Sequence, residues 1–302
     1  MGAEVFCSNN GIKVLAYEKT FLLDYKSAEE NALNLVSHGH QDHLPAKYNS
    51  ENIICSRHTA KILRLRRNKD IKVRRSREVK FLDAGHTIGS RMFLINKEVL
   101  YTGDFNTTQK YCGKARPVKC DTLIIDATFG AKKYVFPKYQ EVIKEFRDYL
   151  EENQKVVICA YSFGKAQEVA YLLDKFRIPF NITAPIQRVH QTLGLKYRCF
   201  SDDEHNVIIQ HHYEPKQGYK KIAMSGWASE KFYNYALQLD KSFIISSHAD
   251  YNQLMDFVRK CSPERVYPFG THAVELSASI RKNLSINAQP LLKNQKTLGN
   301  YL

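Results

Sequence analysis

A chain of 302 residues, 43% hydrophobic and 12% aromatic, holds enough apolar matter for one large or two modest folded domains, which excludes a disordered or low-complexity protein. No apolar run approaches the roughly 20 residues that a membrane helix needs, so no membrane association is expected. A formal net charge of +14 favours polyanionic partners.

Seven scattered cysteines (Cys7, Cys55, Cys112, Cys120, Cys159, Cys199 and Cys261) form no C-x-x-C pair. That pattern argues for reduced thiols in an intracellular protein, cytoplasmic in a prokaryote or nuclear in a eukaryote, and against a disulfide framework or thiolate metal site. The first residues lack the basic-then-apolar pattern of a signal peptide.

In chain order, β-rich runs occur at residues 12–17, 21–24, 32–37 and 52–55, and a helix fits 58–67. Further strands fit 79–82, 92–95, 99–101 and 122–127. The texture then changes to alternating helix and strand: a helical stripe from Tyr139 to Leu150, a strand at 155–161, a helix at 165–176, strands at 220–224 and 243–247, and a helix marked by Tyr251, Leu254, Met255 and Val258. Residues 181–217 read as irregular, with an exposed turn at 201–204 and a His211-His212 pair read as a loop without metal.

The most informative stretch is His38-Gly39-His40-Gln41-Asp42-His43, directly after the apolar run from Ala32 to Val36. Three imidazoles and a carboxylate in six residues are ligands that borderline metals accept, and such a set can serve two ions. Two metals a few ångströms apart are suited to phosphate-ester hydrolysis. His86, in Ala84-Gly85-His86-Thr87-Ile88-Gly89-Ser90, follows another strand between glycines that let the backbone bend. Asp104 sits at the next strand end, where its carboxylate can bridge two cations. Asp126 closes an otherwise apolar strand, and His248 and His272 each follow a β-rich run. A charge such as that of Asp126 is costly there unless paired.

Basic residues crowd the segment from Arg57 to Lys80. Arg64, Arg66, Arg67, Arg74 and Arg75 read as a track for a phosphate backbone. The turn Ser162-Phe163-Gly164-Lys165, between a strand and a helix start, offers Ser162, Gly164 and Lys165 to a substrate phosphate. The single tryptophan, Trp227, could stack on a base or pack in a core.

Together these motifs resemble the metallo-β-lactamase superfamily, and within it the β-CASP nucleic-acid hydrolases, from Asp24 to about residue 284. The resemblance implies an α/β (α+β) fold, an αββα sandwich with an inserted β-CASP cap. The expected division is 1–150 for the first part of the sandwich, 151–240 for the cap and 241–302 for the second part. It implies that His38, His40 and His86 bind one zinc, that Asp42, His43 and His272 bind the other, and that Asp104 bridges them, with manganese or magnesium as alternative occupants. Asp24 would support the ligands from behind. Asp42 would also serve catalysis, His248 would protonate the leaving oxygen, and Asp126 would orient His248.

Within the family, Asp126-Ala127-Thr128-Phe129 and Ala160-Tyr161-Ser162-Phe163-Gly164-Lys165 resemble the Artemis-type DNA-repair nucleases, which usually lack a counterpart of His272. Gly164-Lys165-Ala166-Gln167-Glu168-Val169 and Ser225-Gly226-Trp227 resemble ligase-associated DNA exonucleases. RNA-processing relatives are usually longer, and this length leaves no room for their extra domains. The resemblance therefore implies a zinc-dependent, end-processing DNA exonuclease with a DNA ligase or repair complex as partner. An RNA nuclease of the same fold and a non-catalytic nucleic-acid-binding subunit are the alternatives.

Overall fold

Alternating and continuous apolar runs fold as five short opening strands. They are β1 (Glu4–Ser8), β2 (Gly11–Ala16), β3 (Lys19–Leu23), β4 (Leu33–Leu35) and β5 (Ile53–Ile54). β2 buries Ile12, Val14 and Ala16 in turn, the period of a half-covered strand. The sheet runs β1-β2-β3-β4-β5, antiparallel through β3 and parallel beyond it. Helix α1 (Arg57–Arg67) follows, capped by Ser56, whose hydroxyl accepts from the Thr59 N–H at 3.0 Å. Strands β6 (Val79–Asp83), β7 (Arg91–Ile95), β8 (Val99–Tyr101) and β9 (Thr122–Asp126) begin a second sheet. These elements belong to a computed structural model that describes residues 3–47, 53–69, 71–201, 205–211 and 215–292. The expected turn residues 202–204 and His212 lie outside that set.

The chain then forms a separate compact unit, Phe136–Ser247. It contains α2 (Tyr139–Glu152), β10 (Val156–Cys159), α3 (Lys165–Phe176), β11 (Asn181–Ile182), α4 (Ala184–Leu193), β12 (Val207–Gln210), β13 (Lys220–Met224), α5 (Tyr233–Leu237) and β14 (Lys241–Phe243). Its parallel sheet has the order β11-β12-β10-β13-β14. The unit begins at Phe136 rather than at 151, because Val142, Ile143, Phe146 and Leu150 of α2 pack with Val156, Ile158 and Phe243 in its core. It ends at Ser247 rather than 240, because β14 and Ile245 share that core. Part of the segment expected to be irregular is α4, which buries Ile186, Val189, His190 and Leu193 between a proline in its first turn and the left-handed Gly194.

The return segment supplies α6 (Tyr251–Cys261), β15 (Arg265–Phe269), α7 (Ala273–Leu284) and β16 (Asn287–Ala288), completing a sheet of order β16-β15-β9-β8-β7-β6. This first unit, Met1–Val135 with His248–Leu302, is an αββα sandwich. Phe21, Leu23 and Leu35 of one sheet meet Phe93, Tyr101 and Ile124 of the other. α1 covers the outer face of the first sheet through Ala60 and Leu63, and α6 and α7 cover the second through Leu254, Phe257, Leu276 and Ile280. Among the described residues no helix is long and apolar enough to cross a membrane.

Candidate metal centre

The carboxyl ends of six strands carry the predicted site residues. Asp24 follows β3, His38 to His43 follow β4, and His86 follows β6. Asp104 follows β8, Asp126 closes β9, and His272 follows β15. β8, β9 and β15 run parallel, and so do β3 and β4. Side chains far apart in sequence are thereby delivered to one end of the sandwich.

Two glycines shape the approach. Gly85 and Gly103, with φ of +68° and +52°, hold left-handed turns just before His86 and Asp104. A Cβ at Gly103 would lie 2.6 Å from the Ser37 Cβ, and one at Gly85 would lie 2.6 Å from the Asn106 carbonyl oxygen. Only glycine lets these two loops close on the β4 loop and on each other.

His38, His40, His86 and Asp104 converge. His40 Nδ1 lies 3.0 Å from His38 Nε2 and 3.1 Å from His86 Nε2, while Asp104 Oδ2 lies 3.5 Å and 3.6 Å from the same two Nε2 atoms. Four ligands at about 2.0–2.1 Å from a tetrahedral ion stand roughly 3.3 Å apart. These separations are the edges of such a tetrahedron, so the residues fit a metal ion. Beside it, His43 Nε2 lies 3.5 Å from Asp104 Oδ2 and 3.6 Å from Asp42 Oδ2, which gives Asp104 a share in a second set. The described residues can therefore hold two ions around one shared carboxylate.

Asp24 stands behind both sets. It is buried and accepts from the Ser37 N–H (2.7 Å), the Ser37 hydroxyl (2.5 Å) and the Tyr101 hydroxyl (2.7 Å), with His43 Nδ1 also at 2.7 Å. The His43 Nδ1 proton is thereby fixed, and Nε2 is left toward Asp42 and Asp104. Ser37 repeats the device: its hydroxyl donates to Asp24 and can only accept from His38 Nδ1, 2.9 Å away. Burial lowers the basicity of His38 and neighbouring histidines lower it further, so it stays neutral and able to ligate. His43 is the opposite case. Burial resists its protonation, but Asp104 and Asp24 outweigh that and push it up to about 10. Burial raises Asp104 to about 6 against the pull of His43 and His248.

His248 and Asp126 form the third group with Asp104. His248 Nδ1 is 2.8 Å from Asp126 Oδ2, and its Nε2 points at Asp104 Oδ2, 3.9 Å away. Asp126 is held by the N–H and hydroxyl of Thr128 at 2.8 and 2.7 Å. Burial opposes protonation of His248, but the Asp126 and Asp104 carboxylates prevail and raise it.

Other predicted site residues lie differently. Among the described residues, neither Asp42 nor His272 belongs to a group tight enough to hold an ion by itself. The Asp42 side chain is 81% exposed and reaches only His43 Nε2. His272 turns Nδ1 to Glu275 at 2.9 Å, because it caps α7 and Glu275 lies in that helix's first turn. Its ring stacks on Tyr134, which touches Phe129 and through it His248.

The phosphate turn is occupied from within its own unit. The Ser162 N–H donates to His211 Nδ1 at 3.0 Å, and the Gly164 N–H donates to Gln167 Oε1 at 2.7 Å. Lys165 Nζ bonds Glu168 Oε2 (2.5 Å) and the Ile245 carbonyl (2.8 Å), largely out of solvent. This turn is a helix cap with a buried ion pair.

The basic run does not form one track. Arg66 bonds Gln41 Oε1 at 3.2 Å, and Arg67 bonds the carbonyls of Pro45 and Leu44, so both brace the loop carrying Asp42 and His43. Arg64 closes on the Ile71 carbonyl at 2.5 Å. Arg74 and Arg75 lie at the amino ends of β3 and β4, away from the ligands. Trp227 is half-buried in a 3-10 turn.

Ser37, Tyr101, Thr128 and Asn106 are supports that sequence reading missed. Asn106 is buried; its backbone N–H bonds the Ala84 carbonyl, and its side chain donates to the His248 carbonyl at 2.7 Å, tying the His86 and His248 loops together. The only sequence signal for these residues was their closeness to a ligand.

No family model matches the chain. It is 27% identical over 285 residues (82% of this chain, 28% of the relative) to a protein named "Probable DNA ligase" from Opitutus terrae. It is 32% identical over 134 residues (42% and 22%) to Integrator complex subunit 11 of Gallus gallus. It is 30% identical over 112 residues (32% and 25%) to an RNase J-like protein of Methanocaldococcus jannaschii. The chain spans under a third of the length of each of these relatives. A protein of unknown function from Enterococcus faecalis V583 shares the fold across 97% of both chains, with a TM-score of 0.62 at 11% identity. The αββα sandwich and the histidine site around a shared carboxylate match the metallo-β-lactamase pattern expected from the sequence motifs. The similarity to these relatives agrees with the resemblance to the β-CASP branch of the metallo-β-lactamase superfamily.

Proposed function

We propose that this protein is a zinc-dependent nuclease that hydrolyses phosphodiester bonds at DNA ends. The observation that carries the reading is the His248–Asp126 pair, whose Nε2 faces the carboxylate shared by two histidine sets. Bound divalent ions would supply Lewis acidity for the phosphoryl oxygens and acidify water near neutral pH. His38, His40, His86 and Asp104 would hold one ion, and His43, Asp104 and Asp42 the other, with His272 completing the second set through Nε2. His248, its basicity raised by Asp126 and Asp104, would deliver a proton to the leaving oxygen as the P–O bond breaks. Asp126 would hold His248 in the same orientation and restore the same tautomer after each turnover.

DNA is favoured over RNA by where the similarity lies. Relatives bearing ligase names, "Probable DNA ligase" and the DNA ligase 6 of Arabidopsis thaliana, match 82% and 77% of the chain, including the inserted unit. The RNase J-like match spans 32%. End trimming is also the reaction that ligation needs, so a DNA ligase or repair complex is the fitting partner.

The test uses zinc- or manganese-loaded protein on matched end-labelled DNA and RNA strands with 5′-phosphate or 5′-hydroxyl ends, with Asp104→Ala as control. Stepwise shortening of DNA that is absent in the control is the expected result. Cleavage of RNA alone would move the protein to RNA maturation. A metal-loaded protein that cuts neither strand would be a binding subunit.

A further inference from the structure

At the end of the sandwich opposite the metal centre lies a cavity of about 370 Å³. Lys19 opens β3, Leu33 opens β4 and Glu78 immediately precedes β6, and all three line it. The ligands follow the other ends of these strands, so the cavity and the ligands stand about 15 Å apart at roughly 3.3 Å per residue. The charge on its wall is lopsided: Lys19, Arg74, Arg75 and Arg77 against Glu30 and Glu78. Glu78 is already committed, taking the Lys19 ammonium and the Ser76 hydroxyl. Arg74, Arg75 and Arg77 are exposed on this wall, and with Lys19 they outnumber its two carboxylates.

The arginine segment is fixed in place. Val73 bridges to Ile53 in parallel, and the Arg74 N–H donates to the Ile53 carbonyl at 2.9 Å, so residues 73–75 extend the edge of the first sheet at β5. Guanidiniums held on a sheet edge are pre-organised forks for phosphate oxygens. The volume falls at the small end of ligand pockets, roughly 300 Å³ and upward, and suits a phosphate with its sugar more than a bare ion. Exposed Lys72 and Lys80 extend the positive charge along the chain on either side of the arginines. That continuation fits a strand running past the cavity better than a free nucleotide.

We propose that this cavity is an anion exosite that grips the phosphodiester backbone of a nucleic-acid strand well away from the scissile bond. The proposal rests on the nuclease reading for the identity of the strand. Its consequence is a dependence on length. A tetranucleotide can fill the metal site without reaching the cavity, whereas a strand of about 24 nucleotides can engage both.

The test compares metal-loaded wild type with Arg77→Gln and Arg77→Glu, neither of which touches the metal cluster. Binding is read by fluorescence anisotropy with slow-hydrolysing phosphorothioate strands of both lengths, from low salt to about 0.2 M, and hydrolysis is read separately on a natural tetranucleotide. Arg77→Gln is expected to weaken long-strand binding about fivefold and lower its salt slope by roughly one, and Arg77→Glu to do more. Tetranucleotide binding and hydrolysis should not change. Unchanged long-strand affinity in both variants overturns the proposal, as does an equal loss for both lengths. Displacement of the strand by poly-glutamate as readily as by unlabelled strand would assign the cavity to an acidic protein surface instead. If no strand were hydrolysed by the wild type, the nuclease reading would fail while the binding comparison still decided this one.

Discussion

Asp24 Oδ2 lies 2.7 Å from His43 Nδ1, and this one contact sets which nitrogen His43 offers to the centre of the site. The same carboxylate fixes His38 through Ser37. An Asp24→Asn variant keeps the shape but places an amide donor where four donors already converge. Metal affinity should fall about 10- to 100-fold, with rate lost in proportion to occupancy. Metal content by elemental analysis, with affinity from chelator competition, checks this; full metal binding at wild-type affinity would show that Asp24 does not set the tautomers.

His248 differs from His38, His43 and His86 because its Nδ1 is committed to Asp126 and its Nε2 stands 3.9 Å from Asp104 Oδ2, against 3.5–3.6 Å for theirs. His248→Ala should therefore retain its metal and lose about 10²- to 10⁴-fold in kcat, the usual worth of a positioned proton donor. Asp126→Asn should lower kcat with the same metal content. If His248→Ala came out of purification short of metal, it would be a ligand and not an acid.

Much of this was legible in the sequence because metal ligands are short-range signals. His38 to His43 advertise themselves by spacing, and Asp104 and Asp126 stand out as charges at the ends of apolar strands. The sandwich was legible for the same reason, since alternation and apolar runs mark strands locally. What was not legible depends on where side chains turn. Arg66 and Arg67 read as free charge, but α1 lays them against the Gln41–His43 turn, and only the packing of that helix decides this. Asp42 and His272 fit the motif, yet one is exposed and the other caps a helix. Helix α4 had readable signals in Pro185, Gly194 and the apolar spacing of Ile186, Val189 and Leu193, which its polar surroundings hid. The argument for DNA from chain length loses its force, because the match covers only 28% of the ligase-named Opitutus relative, which is itself much longer.

Lys165 was expected at a substrate phosphate, but its ammonium is paired with Glu168, whose side chain is 1% exposed. Removing the lysine strands a buried carboxylate. Lys165→Ala should destabilise the inserted unit by about 3–5 kcal/mol. Lys165→Met with Glu168→Gln should recover most of the loss, because no buried charge is left alone. Denaturant unfolding checks the stability. Any preference for 5′-phosphate ends should survive in the double variant, and its disappearance would return Lys165 to the substrate.

His190 gives the inserted unit a pH dependence of its own. The ring is buried, its Nε2 has no hydrogen-bond partner, and it packs on Tyr197 with centroids 5.3 Å apart. Burial pushes its pKa down to about 4. In the unfolded chain it titrates at about 6.5, so below that value the unfolded state binds a proton that the folded state refuses. The stability contributed by the neutral ring is fully present above about pH 6.5 and is lost as pH falls toward 4, by about 3 kcal/mol in all. Below 4 both states are protonated and the slope vanishes. His190→Phe preserves the stacking on Tyr197 and carries no titrating group. In urea unfolding between pH 7 and 4.5, the wild type should lose stability relative to this variant by about 1.4 kcal/mol per pH unit below 6.5. Parallel curves for the two proteins would mean that His190 takes up its proton in the folded state as readily as in the unfolded one.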